Sequence, residues 1–401
     1  MSVTPDDIRA AADAIRDRVV RTPTIASARL EEVAGTRLAL KLENLQYTGS
    51  FKDRGACHKL QRLAASPDRP SGVIAASAGN HAQGVAFHAH RLGLPATIVM
   101  PVNTPFAKIE RTEGHGAEVV LRGESVSECS MIARELAAQR ELEFVHPYDD
   151  DEIIAGQGTV AIELLEDRPD VDTIVVPIGG GGLISGIALW AKHRKPDIRV
   201  VGVQTELCPS MLARVRGEVR QLATHTLADG IAVKTPGEIT SAIIAEHVDD
   251  IVLVGEADLE NAIQLLVSHG KIVAEGAGAA GFAAILRHPE AFADRTVGVV
   301  ICGGNIDRRM LSTVLLRSLK RDGKVARLRI QMHDVPGMLA RITEMIGAAG
   351  ADIVDIEHER LFVDLGARQA ELVVVMETRG AHHVTRIVDT LRAAGFPVEL
   401  G

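Results

Sequence analysis

Thr173-Ile174-Val175-Val176-Pro177-Ile178-Gly179-Gly180-Gly181-Gly182 passes without one charged side chain from an apolar run into four consecutive glycines. An apolar strand of this kind, closed by a glycine turn that opens a helix over 183–193, belongs in a parallel sheet covered on both faces. Similar runs at 73–76, 97–100, 118–121, 200–203, 251–254 and 297–301 alternate with helical stretches, which predicts an α/β fold of parallel twisted sheets covered by helices. Ligands in such folds sit beyond the carboxyl ends of the strands. There lie Ser77-Ala78-Gly79-Asn80-His81, the tetraglycine run, and Cys302-Gly303-Gly304-Asn305. These strand ends predict one shared site.

Glycines at a helix start let backbone N–H groups turn toward a phosphate, although a tight strand-to-helix turn also uses glycine. Leu183 and Ile184 break the dinucleotide pattern G-x-G-x-x-G, and no Walker pattern occurs, so the phosphate expected is that of a small cofactor. The second landmark is Gly49-Ser50-Phe51-Lys52-Asp53-Arg54-Gly55. Ser50 reads as an N-cap, Asp53 completes a capping box, and Thr48-Gly49 turns the chain in from a half-exposed strand over 38–43. Lys52 then falls at N2, where the helix dipole disfavours its protonated form and makes the amine a usable nucleophile. Alone it would read as a solvated lysine. Ser77–His81 offers hydroxyl, amide and imidazole groups for a carboxylate or phenolic oxygen, or serves only as a cap. Cys302 by itself reads as a buried inert thiol. His88, His90, His382 and His383 have no metal-ligand spacing and read as solvated or capping residues.

The 401 residues predict two or three domains, and 46% apolar with 24% charged residues is an ordinary globular composition. A net charge of −9 without a long basic run argues against nucleic acid or anionic lipid as a partner. Cys57, Cys129, Cys208 and Cys302 are too scattered for a disulfide framework and suggest a reducing, cytoplasmic setting. Residues 1–21 lack a signal-peptide core, and no run is long and apolar enough to span a bilayer. A linker is expected at 319–324. Beyond it the order β-α-β-β-α-β predicts a small ferredoxin-like domain over 325–401.

Taken together, Lys41–Gln46 leading into the Lys52 segment, Ser77–Gly84, Ile154–Thr159, the tetraglycine run, Leu227–Gly230, Glu275–Ala279 and Cys302–Asn305 resemble the pyridoxal-phosphate-dependent threonine and serine dehydratases of the tryptophan-synthase-β-like fold, fold type II. The likeness runs through residues 1–318 and implies a two-lobed catalytic domain, with a smaller lobe at about 71–148. By that resemblance Lys52 holds pyridoxal 5'-phosphate covalently and Phe51 packs on its ring. Gly179, Gly180, Gly181, Gly182 and Leu183 would hold the phosphate, Asn80 would bond the phenolic oxygen, and Cys302 would face the ring nitrogen. Ser77, Ala78, Gly79, Asn80 and His81 would take the substrate carboxylate. Asp334-Val335-Pro336-Gly337-Met338-Leu339 resembles the ligand turn of ACT regulatory domains, with Asp334, Gly337, Met338 and Leu339 as the effector-site candidates. A dimerisation module without ligand is the alternative there.

The implied activity is deamination of L-threonine to 2-oxobutanoate and ammonia, as in threonine ammonia-lyases, with L-serine to pyruvate beside it and isoleucine or valine as effector. Serine dehydratase or racemase, hydroxyaspartate dehydratase, and an amino-acid sensor with a vestigial catalytic body are the alternatives. Ala78 stands where serine racemases carry a second acid/base serine. Gln204 replaces a carboxylate ligand of divalent-cation relatives, leaving Glu206 and Asp229 as candidates for a monovalent cation. A homodimer or homotetramer is expected.

Overall fold

The computed structural model describes residues 3–223, 225–361 and 364–401. The chain divides into two compact units, one ending at Ile306 and the other running Asp307–Gly401. In the first unit a six-stranded sheet has the order Thr24–Ile25, Arg37–Lys41, Thr296–Val300, Thr173–Pro177, Arg199–Thr205, Asp250–Val254. Only the first pair is antiparallel. A second, wholly parallel sheet has the order Glu118–Leu121, Ala96–Met100, Val73–Ala76, Glu143–Phe144.

Strand order decides where the chemistry falls. Arg37–Lys41, Thr296–Val300 and Thr173–Pro177 are neighbours, so the segments leaving their carboxyl ends toward Lys52, Cys302 and the glycines emerge side by side. The central strands are buried throughout, as their apolar composition requires. Glu118–Leu121 departs from that expectation, because it is an edge strand with both ends exposed.

The half-exposed strand expected at 38–43 is instead Arg37–Lys41, buried from Leu38 onward. Its edges are paired with two strands, and both the face carrying Ala39 and Lys41 and the face carrying Leu38 and Leu40 are buried. Lys41 tolerates this because its Nζ donates to Glu163 Oε2 and to the Thr22 carbonyl, both at 2.6 Å. The leading helix, Pro5–Ile15, has the Thr4 cap, its reciprocal Asp7 bond and a buried Ile8–Ala11–Ile15 face.

The second unit has the expected β-α-β-β-α-β order. Its antiparallel sheet is arranged Asp352–Glu359, Gln369–Glu377, Val325–His333, Val398–Leu400, and helices Met338–Ala348 and Ala381–Ala393 contribute to one apolar core. Residues 319–324 are not an extended tether: helix Arg308–Arg321 runs into them and ends in a turn at Gly323, which has φ of 64°.

Candidate active site

The turn that delivers Lys52 is braced differently from the capping box its sequence suggests. The helix is Lys52–Ala65, Phe51 is its N-cap without a side-chain bond, and Lys52 stands at N1. The Asp53 carboxylate accepts from Thr48 N at 2.9 Å and Thr48 Oγ1 at 2.6 Å, holding the preceding turn rather than the Ser50 backbone. Ser50 Oγ is buried without a partner. Phe51 N donates to the Cys302 carbonyl at 3.0 Å, joining this turn to the loop after Thr296–Val300.

Lys52 Nζ donates to the Pro147 carbonyl at 2.6 Å and lies 5.1 Å from the Phe51 ring centroid. Burial lowers the amine pKa from 10.5 to about 8, against a smaller opposing pull from Cys302. The lowered pKa expected from the helix dipole has a different cause here, which is loss of water. Next along the helix, Arg54 is fully buried and bonds Glu43 and Glu163 through five donor–acceptor pairs counting Thr159, so the helix start is held to the strand and helix behind it.

The tetraglycine run opens helix Gly182–Arg194, with Gly181 as N-cap at φ 99° and no acidic residue in the first turn. Its first intrahelical bond is Ser185 N to the Gly181 carbonyl, which leaves the N–H groups of Gly182, Leu183 and Ile184 without intrahelical partners. Close packing is a second reason for glycine here: a methyl group at Gly180 would overlap the Tyr148 ring, and one at Gly181 would lie 2.8 Å from Thr240 Cβ. Tyr148 adjoins Pro147, so the glycine-lined helix start and the Lys52 amine meet across one short segment.

On the other side, Asn80 opens helix Asn80–Arg91. Its Nδ2 donates to Glu275 Oε1 at 2.7 Å, and its Oδ1 accepts from Asn305 Nδ2 at 2.8 Å. Gly84 lets this helix approach Lys52, since an added Cβ would lie 3.3 Å from the Lys52 carbonyl oxygen. Ser77 Oγ accepts from Gly79 N at 3.2 Å, and Ser77, Ala78 and Gly79 are partly exposed ahead of the helix start. The His81 imidazole points elsewhere: it is buried against the Val145 carbonyl at 3.0 Å, and burial with nearby Lys52 lowers its pKa to about 3. Only the backbone N–H of His81 remains suited to a carboxylate. Burial, reinforced by Glu275, pushes the Cys302 thiol well above its usual 9.0, so it stays uncharged.

A half-buried amine of lowered pKa, a helix start with free N–H groups, the Asn80 amide and an unpartnered buried hydroxyl fit an aldehyde that carries a phosphate. Glu206 and Asp229, the candidates for a monovalent cation, each face a basic side chain. Glu206 pairs with Arg287 at 2.7 Å and Asp229 with Lys108 at 3.1 Å. No metal-binding group of three or more His, Cys, Asp or Glu exists among the described residues. The Gln204 amide bonds backbone atoms, accepting from Leu212 N at 2.9 Å.

In the second unit Asp334 accepts from Arg360 Nε at 2.9 Å, Gly337 caps helix Met338–Ala348 at φ 89°, Met338 packs on the core, and Leu339 is exposed. An adjoining groove of about 540 Å³ is lined by His333, Val335, Gly366, Ala367, Arg368 and Gln369. Among the histidines, His88 is buried 3.5 Å from Asp53 rather than solvated, while His383 Nδ1 accepts from Arg379 N as a cap.

This chain belongs to the pyridoxal-phosphate dependent enzymes, whose family model matches residues 15–303. Residues 326–395 match the ACT domain. It is 42% identical to an L-threonine ammonia-lyase of Thermotoga maritima over 99% of both chains. A solved threonine deaminase from T.th. is 38% identical, with a TM-score of 0.71 over 76% of this chain and 99% of that one. Serine racemase of Dictyostelium discoideum is 34% identical, with a TM-score of 0.72 over 77% and 100% respectively.

Sequence reasoning assigned no role to Tyr148, Glu275 or Asn305. Glu275 left a readable trace: an isolated carboxylate directly before the apolar helix Gly276–Arg287 must be buried with it. Tyr148 left none, because its place against Gly180 depends on two elements meeting in space.

Proposed function

We propose that the protein deaminates L-threonine to 2-oxobutanoate and ammonia by β-elimination of water, and acts on L-serine to give pyruvate. The observation that carries this reading is the enclosed Lys52 amine, with its pKa near 8, between the glycine-lined helix start and Asn80. Pyridoxal phosphate, when bound, supplies an electron sink that makes the substrate Cα–H acidic. The free N–H groups of Gly182, Leu183 and Ile184 would hold its phosphate, and Lys52 would be its point of covalent attachment. Lys52 also serves as base: released from that bond, an amine of this pKa is partly neutral near pH 8 and removes the Cα proton. The resulting ammonium then hands a proton to the departing β-hydroxyl.

Ser77 through Gly79 and the first-turn N–H groups of helix Asn80–Arg91 hold the substrate carboxylate. Cys302, an uncharged thiol, gives the ring nitrogen no negative partner, which favours rapid loss of the leaving group over a long-lived carbanion. Ala78 offers no acid or base, so elimination prevails over racemisation. The released enamine hydrolyses to the keto acid and ammonia.

The ACT domain supports regulation by an amino acid, for which we assign isoleucine or valine. Four unpaired buried cysteines support a cytoplasmic setting. The test is the rate of 2-oxobutanoate formation by purified protein, compared with pyruvate from L-serine and chiral analysis of the serine left over. Threonine should be consumed fastest and serine should remain L. Preference for serine with accumulation of its D form would overturn the reading in favour of a racemase.

A further inference from the structure

Glu275 sits as N-cap of helix Gly276–Arg287 without capping it. Its carboxylate is instead turned to the Asn80 amide at 2.7 Å, and a side chain at Gly303 or a larger one at Gly230 would crowd it. The bonds beyond Asn80 leave that amide no freedom. Asn305 Nδ2 donates to Asn80 Oδ1 at 2.8 Å and to the Thr48 carbonyl at 2.7 Å, so Asn80 must present oxygen to Asn305 and nitrogen to Glu275. An inverted amide would set two donors face to face. Asn80 therefore has one N–H left for the site.

We propose that Glu275 is a positioning residue acting through Asn80: it orients the one amide N–H available to the cofactor's phenolic oxygen, and its charge sets how strongly that N–H donates. The proposal rests on the cofactor reading above. An ionised Glu275 draws on the same amide nitrogen and places negative charge one hydrogen bond from the phenolic oxygen, disfavouring an anionic form there. A protonated Glu275 relieves both effects.

The groups around it place that change in the working range. Burial and, after it, Asp229 of the turn Asp229–Ile231 raise the Glu275 pKa, Asn80, Lys108 of helix Phe106–Gly114 and the Asn305 backbone N–H oppose, and the balance carries it from 4.5 to about 7. Cys302, held neutral by burial, is the thiol that both Glu275 and Lys52 act on.

The experiment is a pH titration of the visible spectrum of the cofactor-loaded protein between pH 5.5 and 9, about 1.5 to 2 units either side of the Glu275 transition. The wild type should show an inflection near pH 7. Glu275→Gln, nearly isosteric, should lose it while keeping the visible band. Asp229→Asn should move the inflection to lower pH and Lys108→Met to higher pH, Asp229 being exposed and Lys108 half-exposed. Difference infrared spectra of the cofactor-free protein should show a carboxylic-acid band that titrates in the same range and is missing from the Gln variant. A coloured protein whose inflection survives in Glu275→Gln, or does not move in the two charge variants, overturns the proposal alone. A colourless protein overturns the cofactor reading and the proposal with it.

Discussion

At Gly180 there is no room for a β-carbon, because the Tyr148 ring lies against the α-carbon and its hydroxyl is fixed 2.7 Å from the Thr235 carbonyl. Gly180→Ala should displace Tyr148 and disturb the N–H groups beside it. Overpacking of this kind costs about 1–3 kcal/mol, which corresponds to about fivefold to 150-fold weaker cofactor affinity if it falls on the bound state. A fluorescence titration with pyridoxal phosphate measures it. Tyr148→Ala in the same chain should recover part of the loss, and strict additivity of the two changes would contradict the contact. The contrast with Lys52 shows what a sequence discloses at this scale. A lysine at a helix start between a glycine turn and an arginine is visible as a candidate nucleophile, whereas its loss of water depends on segments distant in the chain, such as the one that brings the Pro147 carbonyl to its Nζ.

The same limit governs the elements. The parallel strands were legible because uniform apolarity has one cheap solution, two covered faces. The strand Arg37–Lys41 was misjudged as half-exposed because Lys41 and Glu43 are charged, and only tertiary pairing with Glu163 and Arg54 allows charged groups to be buried. His88 belongs with these groups. It lies on helix Asn80–Arg91 and faces Asp53 on helix Lys52–Ala65, tying the helix that carries Lys52 to the one that carries Asn80. Burial alone would lower its pKa, but Asp53 and Cys57 outweigh burial and carry it from 6.5 to about 9. The folded state thus binds a proton more tightly than the unfolded chain. This contribution to stability is complete below pH 6.5 and is lost as pH rises through about 9. Urea midpoints of the wild type should fall across that interval, and His88→Asn should be less stable at pH 6 with a flatter decline. An unchanged slope in the variant would mean that His88 is neutral throughout.

For the whole molecule, the change from short, uniformly apolar strands to longer strands of alternating burial at about residue 325 made a separate C-terminal unit readable, while its ACT character and the pyridoxal-phosphate family of the first unit were carried by motifs. Less readable was the place where the second unit starts, since helix Arg308–Arg321 groups with it rather than with the strands before it. If the ACT domain senses an amino acid, isoleucine or valine should bind the full chain in calorimetry and change the rate of 2-oxobutanoate formation. Substitution of Arg368, which lines the groove beside Val335, should weaken that response without altering the unregulated rate. Absence of binding by either amino acid would leave the domain as an association module, in a homodimer or homotetramer. The central claim is that one half-buried amine carries the chemistry, and borohydride reduction of the coloured protein followed by peptide mapping tests it most directly. The account predicts a pyridoxyl group on Lys52 and no colour or turnover in Lys52→Ala; a label on any other lysine, or on none, would contradict it.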